Sequence, residues 1–128
     1  MPLRLQKGPL ASFLLLLGGL TACAPPIPSG GFDAPDPASR IYAAVRVAAA
    51  FGETGARPDE ATLRDLVEML LSTDPAERLV AGDTLELVTG EDFGFDAADP
   101  FVQRVAAADR WAAWVGRSTP EESRGGSS

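Results

Sequence analysis

The sequence predicts an all-α domain, a short antiparallel helical repeat of about four helices behind a targeting segment that is cut away. Three observations predict it. In "RPDEATLRDLVEMLLSTD", Leu63, Leu66, Val67, Leu70 and Leu71 recur at i, i+3, i+4, i+7 and i+8, the single apolar stripe of a helix. An Asp-Pro pair recurs at Asp36, Asp74 and Asp99, each time ahead of a run rich in apolar residues. Aspartate accepts from the free amides of a first helical turn, and proline fits where its missing N–H costs nothing. Finally, "DPASRIYAAVRVAAAFGE" from Asp36 returns 38 residues later as "DPAERLVAGDTLELVTGE", with seven of 18 positions identical.

Residues 1–22 read as a signal peptide. Arg4 and Lys7 precede the short apolar run "PLASFLLLLGGL", which is too brief for a membrane-spanning helix of about 20 residues. The run ends in Leu20-Thr21-Ala22-Cys23. This ending resembles the lipobox of bacterial lipoproteins: a branched apolar residue, a small residue, Gly or Ala, then Cys. The resemblance implies that the Cys23 sulfur carries diacylglycerol, that cleavage falls just before it, and that the membrane is reached through that lipid. Each buried CH₂ of an attached chain is worth about 0.8 kcal/mol, so two or more chains anchor stably. It also implies a bacterial cell envelope. Ala24, where an aspartate would retain the protein at the inner membrane of a Gram-negative cell, points to the outer membrane.

Residues 23–35 form the lipidated cysteine and its linker. The prolines of "APPIPSGGFDAP" stiffen it and the glycines loosen its middle. "SGG" has no strand before it and no Lys-Ser/Thr after it, so it is no phosphate loop. The helical domain spans 36–116, about 80 residues, a length at which core burial is only marginally sufficient.

Within the domain, the first helix opens on Asp36-Pro37 and the second near Pro58. The third opens on Asp74-Pro75, where Glu77 three residues on suggests a capping box. Gly52 and Gly90, paired by the repeat, stand as helix terminators. The segment "LVEMLLSTDPAERLVAGDTLELVTG" resembles one HEAT unit: an apolar helix, an Asp-Pro turn, and a second helix with Arg78 early and Val80, Ala81, Leu85 and Val88 inside. Glu77 departs from that pattern, which places an apolar residue there, and Thr84 departs mildly. Residues 36–51 resemble half a unit. The resemblance implies fold more than function. A fourth helix follows Asp99-Pro100, with Phe101, Val105, Ala108, Ala112 and Val115 on one face and Gly116 as its stop. Residues 117–128 form a polar tail.

The chain has 128 residues, no histidine and one cysteine. It therefore lacks the commonest general base, the commonest nitrogen ligand, an internal disulfide and a thiolate zinc site. After Cys23, nine arginines face 18 carboxylates, a net charge of −9, and the only lysine is Lys7 in the signal. That balance argues against nucleic acid and against attraction to anionic lipid. Glu91, Asp92, Asp96 and Asp99 do not match an EF-hand spacing, so no metal or other cofactor is expected. Trp111 and Trp114 are read first as core, and otherwise as a partner-docking pair. The expected function is an anchored interaction or scaffold module with a protein partner and no enzymatic activity. The alternative is a small hydrolase or lyase using carboxylates with Arg104 or Arg110.

Overall fold

The computed structural model describes residues 23–118. Leu20, Thr21 and Ala22, with the rest of the segment expected to be a signal, and the residues beyond Ser118 lie outside the described residues. Among the described residues there are four α-helices and no strand: α1 (Pro37–Thr54), α2 (Glu60–Met69), α3 (Pro75–Thr89) and α4 (Phe101–Ser118). A single 3₁₀ turn, Gly31–Asp33, leads into α1.

Three helices begin on an aspartate that accepts from first-turn amides. Asp36 Oδ2 accepts from Ser39 N at 2.8 Å, Asp59 Oδ1 from Thr62 N at 2.8 Å, and Asp74 Oδ1 from Ala76 N at 2.8 Å and Glu77 N at 3.1 Å. These amide bonds favour the ionised form and hold the Asp36 and Asp59 carboxyls below the usual range. The capping box at α3 is only half formed. The Asp74 N–H donates to Ser72 Oγ at 3.1 Å, because the Glu77 side chain turns inward to Arg40. At α4, Asp99 contributes its carbonyl, which accepts from Arg104 Nε at 3.0 Å, and no side-chain cap from it is present among the described residues.

The helix ends correct the expectation for Gly52. It lies inside α1, and the terminator is Gly55, left-handed at φ 67°, matching Gly90 at φ 72° after α3. In each case the preceding threonine bonds back into its helix: Thr54 Oγ1 donates to Ala50 O at 3.0 Å and Thr89 Oγ1 to Leu85 O at 2.7 Å. Each hydroxyl then accepts from the N–H two residues on, Ala56 or Glu91, at 3.1 Å. The two copies are thus in register at their starts and out of register at their ends, since α1 has 18 residues and α3 has 15. Gly116 likewise does not stop α4, which continues to Ser118.

Alternate helices are neighbours: α1 packs on α3, and α2 packs on both α3 and α4. The stripe predicted for α2 is the centre of the core. Leu63, Leu66, Val67 and Leu70 are buried, Leu71 is partly so, and they meet Ala44 of α1, Ala81, Leu85 and Val88 of α3, and Ala108, Trp111 and Val115 of α4. On α4 the buried face is rotated from the expected one. It is made by Ala107, Ala108, Trp111 and Val115, while Phe101, expected inside, is 57% exposed. Phe101 is the first residue of α4, whereas Ala108 and Val115, seven and fourteen residues on along the same face, stay buried.

Candidate functional site

Cys23 is exposed and is the free cysteine of the described residues. No regular structure follows it through Ser29. The linker does not stay free of the domain for its whole length. Ala34 is buried and Phe32 packs against the core, so the chain is seated on the helices before α1 begins.

Arg40 holds that seat, and Arg78, aligned with it by the repeat, makes the equivalent bond at the α2–α3 turn. Arg40 Nη1 donates to the carbonyl of Ala34, six residues back. Arg78 Nη1 donates to the carbonyl of Ser72, also six residues back, and to Thr73 at 3.1 Å, while its Nε reaches Ala97 O at 3.0 Å. Arg104 does the same work at α4, bonding Asp99 O and Leu70 O. A guanidinium carries five donors in a fixed fork, which suits it to holding several carbonyls where a chain enters a helix. Arg40 differs in also pairing with Glu77, Nε to Oε1 at 2.8 Å, and Glu77 is 1% exposed. Glu77, the departure from the repeat pattern, is therefore the buried acid that fixes α1 to α3.

The two tryptophans divide. Trp111 is 2% exposed and fills the core. Phe93 meets it edge-on, with ring centroids 4.6 Å apart, and lies 6.2 Å from Trp114. Trp114 is partly buried, edge-on to Trp111 at 5.9 Å, and carries the Arg57 guanidinium over its ring at 4.9 Å. As a docking pair only Trp114 presents usable surface. Phe95 presses on Gly82 of α3, where a Cβ would lie 2.9 Å from the ring. The two phenylalanines between α3 and α4 thus close that side of the core.

The acidic loop beside them uses its carboxylates locally. Asp92 Oδ1 accepts from Gly94 N at 2.7 Å and Asp96 Oδ1 from Ala98 N at 2.8 Å. Among the described residues there is no cluster of three or more groups arranged to hold a metal. Arg110 donates twice to Phe93 O, at 3.0 and 2.8 Å, so it fastens this loop to α4.

Two concave surfaces lie on the α2 side. One is a groove of about 750 Å³ between the docked linker and the α2–α3 turn, bounded by Asp33, Asp65, Glu68 and the Arg40–Glu77 pair. Burial pushes the Asp65 carboxyl up from its ordinary value, and the nearby charges of Asp33, Glu68 and Asp59 add to that. The other is a smaller, mainly apolar cleft of about 220 Å³ between α2 and α4, floored by Val67, Leu71, Ala108 and Ala112 and edged by Arg64, Glu68 and Asp109. The two meet at Leu71 and Glu68. Nothing in the i, i+3 spacing of Asp65 and Glu68 signals a cleft. No helix of the described residues is long and apolar enough to cross a membrane. No protein-family model, curated protein or solved structure matches the chain.

Proposed function

We propose that this protein is a bacterial envelope lipoprotein, anchored through lipid on Cys23, whose small helical domain is a HEAT-like interaction or scaffold module. The observation that carries the reading is the order of features at the start of the chain: Arg4 and Lys7, a short apolar run, then Leu20-Thr21-Ala22-Cys23 with the chain's one cysteine. The exposure of Cys23 supports it, because a lipid attachment point must stand clear of the fold. The seven residues from Cys23 to Ser29 would allow a reach of roughly 25 Å between bilayer and domain. With Ala24 next to the cysteine, the outer membrane of a Gram-negative cell is the proposed address.

The module reading draws on the contacts between alternate helices, which helical-repeat proteins use to stack their units. The short stack leaves faces of α2 and α4 without a neighbouring helix, which is what a binding module needs. The hydrolase or lyase reading gains no such support, since Arg104 and Arg110 commit their donors to main-chain carbonyls.

Mass spectrometry of the mature protein tests the anchor. The expected first residue is Cys23 carrying acyl mass, and Cys23→Ser protein should leave the membrane fraction. An unmodified Cys23, or a Cys23→Ser protein that remains in the membrane, overturns it. Affinity capture of the mature protein from solubilised membranes tests the module, which requires a stoichiometric protein partner.

A further inference from the structure

The apolar surface of α4 is wider than the core it serves. Ala107, Trp111 and Val115 are consumed by packing, while Phe101, Val105 and Ala112 sit along the edge of the same helix and keep exposed or partly exposed surface. Leu71, in the turn after α2, stands across from that edge, and between them runs the cleft over Ala108 and Ala112. The small alanine side chains at i and i+4 on α4 leave a trough, and a helix can lay its own ridge into a trough of this kind.

The unpaired charges on the rim are negative. Arg64 and Glu68 on α2 and Asp109 on α4 edge the cleft, and Asp65 and Asp33 continue the acidic side past Leu71. Among the described residues, Asp65, Glu68 and Asp109 have no basic partner, whereas the nearby Arg64 is already paired with Glu60 at 2.5 Å. Burial, with the neighbouring charges of Asp33, Glu68 and Asp59 added, makes Asp65 reluctant to ionise. An apolar trough between unpaired carboxylates is complementary to a helix with an apolar stripe flanked by lysines or arginines. The same charge argues against a second copy of this chain, whose net charge after Cys23 is −9.

We propose that the α2–α4 cleft docks a basic amphipathic helix of a partner protein, with Leu71, Ala108 and Ala112 receiving its apolar stripe and Glu68 and Asp109 receiving its cationic flanks. This rests on the interaction-module reading and names the surface and the class of partner. The docked helix takes the place beside α2 and α4 that a further repeat would occupy in a longer stack.

The test titrates the full mature protein in detergent with a synthetic leucine–lysine amphipathic helix peptide, and with a scrambled peptide of the same composition that has no apolar stripe. The ordered peptide should bind at least tenfold tighter than the scrambled one. Glu68→Gln with Asp109→Asn should weaken it at least fivefold, and Ala112→Arg should abolish it. Asp83→Asn with Glu86→Gln, an equal charge change on exposed α3 positions, should leave binding unchanged. Circular dichroism melting separates a misfolded Ala112→Arg protein from a blocked one, and the exposed double variant decides the matter if that protein fails to fold. Equal binding of the two peptides, or equal loss in the α3 control, overturns the proposal. A membrane partner still captured by the Glu68→Gln, Asp109→Asn protein would sink the cleft while leaving the module reading intact. Absence of any captured partner would count against the module reading alone, because the peptide titration still decides the cleft.

Discussion

Arg40 and Glu77 stand 37 residues apart in the chain and meet at 2.8 Å between α1 and α3, with the Glu77 side chain 2% exposed and that of Arg40 25% exposed. The same guanidinium holds the Ala34 carbonyl, so one side chain joins the linker, α1 and α3. Removing the acid strands a partly buried cation, and breaking a buried pair costs about 3–5 kcal/mol. Glu77→Ala should therefore lower the urea midpoint sharply, toward the low end of that range because Arg40 keeps some access to water. Arg40→Met combined with Glu77→Leu should recover most of the loss, since a well-packed apolar pair can replace a buried ion pair. Equal destabilisation by the single and the double variant would contradict this account.

Gly82 and Gly52 are both helical glycines with opposite surroundings. A Cβ at Gly82 would lie 2.9 Å from the Phe95 ring, while at Gly52 nothing stands within 4 Å. Gly82→Ala should destabilise by about 1 kcal/mol or more as Phe95 is displaced. Gly52→Ala should stabilise by about 0.5–1 kcal/mol, by removing backbone freedom from the unfolded chain. Thermal melts of the two variants should shift in opposite directions.

Asp65 makes a pH prediction of definite sign. Its carboxyl is raised by burial and by Asp33, Glu68 and Asp59, so its ionisation opposes folding. The stability tied to its protonated form is complete below the unfolded value near 3.8 and is lost as pH rises through the folded value. Asp65→Asn should thus be more stable than the parent at pH 7, with the gain shrinking on acidification. The helix-capping Asp36 and Asp59 act the other way: their contribution is present above 3.8 and is lost as pH falls through their lowered values. Denaturation curves collected across pH 3 to 7 should show the Asp65→Asn advantage fading before the caps fail.

Trp111 and Trp114 should separate in the same experiment. Trp111→Ala empties a core position and should cost about 3–5 kcal/mol. Trp114→Ala removes a half-buried ring and its Arg57 contact, and should cost clearly less. Tryptophan fluorescence of each single-tryptophan protein checks the difference directly: Trp111 should be blue-shifted and shielded from iodide, Trp114 more quenchable.

The sequence by itself determined the local architecture. Helix punctuation is a short-range property, so Asp36, Asp74 and Gly90 could be assigned from their neighbours, and the α2 stripe from Leu63 to Leu71 was legible because a 3.6-residue period alone selects a buried face. The lipobox-like ending at Cys23, on which the proposed anchor rests, is likewise a linear pattern. The tertiary structure decided whatever depends on two distant segments meeting. Gly52 yielded its role to Gly55 because α1 has room to run on past the length of α3. Glu77 left its capping box because Arg40, invisible as a neighbour in sequence, offers it a charged partner out of water. Phe101 lost its core place because it stands at the first position of α4, ahead of the stretch from Ala107 to Val115 that the other helices cover. The acidic, apolar-floored cleft between α2 and α4 belongs to that second group, since its two walls come from helices more than thirty residues apart.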